Sequence, residues 1–249
     1  MTPELAAAGA AHAIGTLEDA WTTDPRVLKR ARALELSGWT FHLAGRAGVL
    51  GDATDPETLV TMLGTVAPEA VRTGWEAARR VGPAQVADAR LAACAAWGSV
   101  RLCEVVDDRV ADLAQRVVDG ADATAMPVFC ATRRMVATVC GAAEGAGARV
   151  ALLAHALAEH RRAAMLVACR AVGLSPVESL VAGPEGEQEA IAAGWSPPFP
   201  ARMFVLRRYA VAAMFADRIT GGAFRALKPA ERIEFVDRLC DAAATVACR

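Results

Sequence analysis

The chain has 249 residues, 54% of them hydrophobic, and a net charge of −1. That length can enclose one large domain or two small ones around a sizeable core, and the near-zero charge supplies no global basic field for nucleic acid or anionic lipid. A single Tyr, few β-branched runs and many alanines point to helices rather than sheet.

Thr2-Pro3 opens a helix through about Trp21, with Thr2 as cap and Pro3 in the first turn. Asp24-Pro25 opens the next, whose stripe of Val27, Leu28, Ala31, Leu34, Leu36, Trp39 and Leu43 predicts one helix to about Gly48. Short helices follow from Pro56 and Pro68. Gly82-Pro83 starts a longer one with Val86, Ala89, Ala93, Ala96, Trp97 and Val100 as its stripe, and Asp107-Asp108 opens another. Residues 120–127 read as a connection.

Beyond it come a helix over 131–143, the turn EGAGA, and a long central helix from about Arg149 to Val172. That segment is the most apolar of the chain, yet His155, Glu159, His160, Arg161, Arg162 and Arg170 interrupt it, so it is not read as a membrane span. Ser175-Pro-Val-Glu178 has the form of a capping box. A proline-rich loop, Gly194 to Pro200, precedes an apolar helix from Ala201 to Ile219 that reads as buried and stops at Thr220-Gly221-Gly222. Lys228-Pro229 opens the last helix. The expectation is an all-α protein of about ten helices in a two-layer bundle, one domain over 1–249 with pseudo-lobes 1–120 and 128–249. Without a basic leader at the N-terminus, it is expected to be cytoplasmic.

Seven cysteines, an odd number with no CxxC pair, read mostly as small buried hydrophobes. Polar residues gather in two places. In Trp39–Gly51, His42 and Arg46 are four apart and share a helix face with Trp39, while Gly45 permits close approach by another helix or a ligand. In HALAEHRR, His155 and Glu159 share a face, but His160 lies about 140° round from His155, so the two histidines do not ligate one metal. His155 with Glu159 could do so given a ligand from another helix. Alternatively Arg46 bridges to Glu159, and Glu159 pairs with Arg162 or Arg161. There is no GxSxG, phosphate loop or dinucleotide fingerprint.

Two segments resemble an actinobacterial all-helical family labelled helix-turn-helix or SalK-like. One is Phe41-His-Leu-Ala-Gly45-Arg46-Ala-Gly-Val-Leu-Gly51 followed by Ala67-Pro-Glu-Ala-Val71. The other is Ala154-His155-Ala-Leu-Ala-Glu159-His160-Arg161, running on to Gly173-Leu-Ser-Pro-Val-Glu-Ser-Leu180. The resemblance implies a helical protein of largely unassigned function. Where the family pattern continues Gly-Asp-Gly-His, this chain has Arg162-Ala-Ala-Met165, so the second histidine becomes Met165, itself able to ligate haem iron. Neither a polar recognition helix nor a β-wing is legible before the last helix.

The leading expectation is a small-molecule-binding protein, or a tailoring enzyme of specialised metabolism. Trp39, Arg46, Arg161 and Met165 are the candidate ligand-binding residues, with His42, His160 and Glu159 as candidate acid/base groups. The site is expected between the Trp39–Arg46 and Glu159–Met165 helices. No metal ligands are assigned and the cofactor is left open, haem or a metal being the alternatives. A degenerate helix-turn-helix regulator is the rival. Nucleic acid is disfavoured as a partner, no membrane is expected, and a homodimer is left open.

Overall fold

The computed structural model describes residues 1–248 and is all-helical there. The first half contributes α1 (Pro3–Thr22), α2 (Pro25–Ala33), α3 (Gly38–Gly48), α4 (Pro56–Leu63), α5 (Pro68–Arg79), α6 (Pro83–Arg101) and α7 (Asp108–Asp119). The second contributes α8 (Pro127–Ala142), α9 (Ala146–Ala171), α10 (Pro176–Ala182), α11 (Glu187–Ala192), a 3-10 turn at Arg202–Phe204, α12 (Leu206–Phe224) and α13 (Pro229–Ala247). Among the described residues no single helix is long and apolar enough to cross a membrane.

Proline in the first turn recurs because its missing N–H has no intrahelical partner to lose there. At Thr2, Asp24, Asp55 and Ser175 the preceding side chain caps the helix, and Ser175 with Glu178 forms the expected capping box. The central helix α9 packs against α1, α6, α7, α8 and α12, and α1 packs on α12 and α13. One core therefore runs from Ala6 to Ala243, shared by helices on both sides of the 120–127 connection. A smaller cluster around Leu59, Leu63, Val71 and Trp75 joins α3, α4 and α5.

Three expectations are corrected. The helix anticipated over 25–48 is two, because Glu35 takes a left-handed conformation (φ 58°) and Ser37 caps a new helix. The helix after the proline loop begins at Leu206 and passes through the expected stop at Gly221-Gly222. A Cβ on Gly221 would lie 3.0 Å from Glu4 Cα, so this glycine allows α12 to cross the start of α1 rather than ending a helix. That helix is also not wholly buried: Leu206, Val211, Met214 and Phe215 face outward. Among the cysteines, Cys94 and Cys169 are buried, whereas Cys103, Cys240 and Cys248 are exposed.

Candidate functional site

Helices α1, α3, α6 and α9 place Glu18, His42, Arg46, Arg90, His155, Glu159 and Arg162 in one network. Glu18 lies at helical spacing from Ile14 and Trp21 on the buried face of α1, and Arg90 likewise from Val86 and Cys94 on α6. Both are almost fully buried, as are His155 and Glu159. Gly45 makes room for Arg90: a Cβ there would lie 2.3 Å from Arg90 Cδ.

Each acceptor in the network is taken. Arg46 donates through Nε and Nη2 to the two oxygens of Glu159, at 2.7 and 3.1 Å, and Arg162 donates to Glu159 Oε1 at 2.9 Å. Glu18 accepts from Arg90 Nη2 at 3.4 Å, from Arg162 Nη2 at 3.2 Å and from Trp21 Nε1 at 2.8 Å. Arg90 also fixes two tautomers. Its Nη1 lies 2.8 Å from His155 Nε2, so that nitrogen accepts and His155 Nδ1 donates to Glu18 Oε2 at 3.0 Å. Its Nε lies 3.4 Å from His42 Nδ1, leaving His42 Nε2 to donate to Thr22 O at 2.8 Å. Trp21 lies beneath Arg90, 4.7 Å from ring centroid to guanidinium carbon.

The electrostatics follow. Burial alone would raise the Glu159 carboxyl, but Arg46 and Arg162 outweigh it and hold the pKa at about 2. Burial likewise opposes ionisation of Glu18, yet His155 and Arg162 keep it well below the usual carboxylate range. Burial first, and Arg90 second, push His42 down to about 4. His155 is lowered by burial against the pull of Glu18. Two carboxylates thus stand against three guanidiniums, with both imidazoles neutral.

Ligand atoms of Glu18, His155 and Glu159 approach within 4.8 Å of one another, the spacing of a metal site. The fit fails on the donors, because Arg46, Arg90 and Arg162 already occupy both carboxylates and the His155 lone pair. A cation would have to displace these guanidiniums, of which that of Arg90 is fully buried.

The structure brings His42, Arg46 and Glu159 together and places the other sequence candidates elsewhere. Trp39 is 41% exposed and donates from Nε1 to Ala192 O at 3.0 Å, fastening α11 onto α3. Arg161 pairs with Asp217 of α12 at 2.8 Å. His160 is buried against Phe129 of α8, ring centroids 4.6 Å apart, and its Nε2 has no partner among the described residues. Burial lowers its pKa to about 4. Met165 packs against the main core. It lies five positions after His160 on a continuous helix, about 140° apart in azimuth, so the pair does not face one iron.

An open site lies where sequence reasoning did not look. The α4–α5 turn supplies Val60, Thr61, Gly64, Val66 and Pro68 to a groove of about 400 Å³, which Leu166 and Arg170 of α9 close with Pro176 and Trp195. Trp195 Nε1 donates to Thr65 O at 2.8 Å, and Ala67 N to Ala193 O at 2.8 Å, so the chain after α11 is clamped to the turn. Gly64 holds the turn at φ 59°. Arg170 is exposed and makes no ion pair among the described residues. A second cavity, about 460 Å³ between α2 and α6, opens more widely to solvent and sets Arg30 alongside Asp88.

Among the helix pairs joined by a four-residue turn are α2 to α3, across residues 34–37, and α4 to α5, across residues 64–67. The model of the helix-turn-helix family matches residues 7–199, which include both. The chain belongs to the helix-turn-helix family. No curated protein and no solved structure matches it. In this helix-turn-helix family member neither second helix offers a basic reading face. Most of α3 is buried and its Arg46 turns inward to Glu159. On α5, Glu69, Thr73, Glu76 and Arg79 are exposed and Arg72 is tied to Glu57 at 2.7 Å, so acids match cations on its outer face.

Proposed function

We propose that this chain is a small-molecule-binding protein whose ligand lies in the groove between the α4–α5 turn and the α9–α10 junction. The observation that carries the reading is an unpaired cation, Arg170, at a groove walled, Thr61 apart, by apolar side chains and Trp195. Such a site suits an amphipathic organic anion, its carboxylate or sulfonate on the guanidinium and its ring or chain along Val60, Val66, Leu166 and Trp195. The lining holds one hydroxyl, Thr61, and no carboxylate, imidazole or thiol, which supports binding rather than turnover. We read the natural ligand as belonging to specialised metabolism, as the SalK-like resemblance implies. In this reading the α4–α5 pair is turned to walling a ligand instead of reading DNA.

The test uses 2-naphthoate and its neutral analogue 2-naphthalenemethanol as probes in isothermal titration. Saturable binding of the carboxylate, weakened about 10-fold or more in Arg170→Ala, supports the site. Equal affinity of wild type and Arg170→Ala for both probes removes it.

A second reading, nucleic-acid contact, is favoured by α2, where Arg26, Lys29, Arg30 and Arg32 are exposed on a helix without an acid. Duplex-DNA affinity at two salt concentrations decides it. Contact through these residues gives a log–log slope that Arg26→Ala and Arg30→Ala each reduce by about one. Absence of binding at low salt ends it.

A further inference from the structure

Beyond the groove, the largest unexplained surface is apolar. Met203 and Phe204 are each 74% exposed, Met214 65%, Leu206 42%, Val211 40% and Phe215 39%. At about 200 Å² for a fully exposed large side chain, they offer on the order of 650 Å² of apolar surface. That is at or above the largest patch usual on a monomer, roughly 300–600 Å². With the stems of Arg207 and Arg218 it approaches the ~800 Å² per partner of a standard interface. The patch is built on rigid structure, since α12 is anchored along its other face by Ala212, Ala216 and Thr220 in the core and by Asp217 on Arg161.

We infer that this face of α12 is the contact between two copies of the chain, paired antiparallel about a two-fold axis passing between Ala210 and Val211. An isologous contact requires a surface complementary to itself, and the order of residues along α12 meets that condition. Reversal about the axis brings Ala210 and Val211 of the two copies together at its centre, while Leu206 and Phe215, nine residues and about 180° apart on the helix, cover its opposite flanks. Small side chains therefore lie where the helices approach most closely. Arg207 falls against the partner's Met214, not against another cation, and the two copies of Arg207 stand about 10 Å apart along the helix axis. Arg218, already 6.0 Å from the Phe215 ring of its own chain, meets the partner's Met203–Phe204 end. A parallel pairing would instead stack Arg207 on Arg207 and Arg218 on Arg218, with no acid on the face to compensate.

The test is sedimentation velocity on the full chain from 1 to 100 µM, with reductant present because Cys103, Cys240 and Cys248 are exposed. Wild type should sediment at twice the 26.0 kDa chain mass. Met214→Arg places like charges together across the axis and should weaken the dimer about 100-fold or more. Met214→Glu meets the partner's Arg207 and should remain within about 10-fold of wild type. Both substitutions are at an exposed position, and far-UV circular dichroism verifies that the helices persist. A wild type that stays monomeric throughout the range overturns the proposal, as does a dimer indifferent to Met214→Arg. If Met214→Glu dissociates as fully as Met214→Arg, the antiparallel pairing is overturned.

Discussion

Two sets of charges in this molecule sit a few turns apart on the same helix and have opposite characters. At the middle of α9, Glu159 and Arg162 belong to a network in which the carboxylates are fully engaged and two histidines are locked in fixed tautomers. Near its C-terminal end, Arg170 faces a groove with no anion to meet. A buried network closed in this way has no acceptor left for a ligand and holds four helices in register. A cation left unpaired at an apolar groove has free donors and a desolvated wall beside it. The most conspicuous polar cluster thus serves the fold, and the quieter one is the proposed ligand site.

The contrast predicts a steep order of effects on stability. Glu18→Ala, which strands the fully buried Arg90, should cost about 3–5 kcal/mol in urea unfolding, and Glu159→Ala, whose partners Arg46 and Arg162 reach solvent, about 1–3 kcal/mol. A loss under about 1 kcal/mol would mean that the network is not closed in solution.

Acid should act on the buried histidines next. His42 and His160 are held at about 4 in the fold against an ordinary 6.5, so the unfolded chain takes up protons first as pH falls. Their contribution is complete above about pH 6.5 and is lost between there and about 4. Below about 4.5, Glu159, held at about 2, adds to the loss in the same direction. Urea midpoints should fall steadily from pH 7 to pH 4, and a flat profile contradicts the burial of these imidazoles.

Gly45→Ala should cost about 1–3 kcal/mol by pushing Arg90 off its partners. His160→Leu, which removes a buried nitrogen without a partner, should gain about 1 kcal/mol and flatten the pH profile. Arg170→Ala, exposed and unpaired, should leave stability within about 0.5 kcal/mol of wild type. That smallest effect is the informative one, because binding and stability then separate at a single residue.

Much of this contrast was legible in part. Spacing alone placed His42 with Arg46 and His155 with Glu159, and offered the Arg46–Glu159 and Arg162–Glu159 pairings that the structure contains. Gly45 announced a close approach, which turned out to be the stem of Arg90. Glu18 and Arg90 were missed, although each sits at helical spacing within an apolar stripe, Ile14–Glu18–Trp21 and Val86–Arg90–Cys94. A charge in a core stripe is the signal that could have found them. The groove had no such signal, since it joins residues 60–68 to residues 166–195 and exists only through packing. The exposure of α12 was equally invisible, because an apolar stripe looks the same whether it covers a core or awaits a partner.

The claim that the groove at Arg170 is the functional site is tested most directly by NMR of the Trp195 indole N–H during titration with 2-naphthoate, in wild type and Arg170→Ala. The account predicts a saturable shift of the Trp195 resonance in wild type, displaced about 10-fold or more to higher concentration in Arg170→Ala, with the other four tryptophans little changed. A Trp195 resonance that does not move at saturation, or that moves identically in the two proteins, contradicts it.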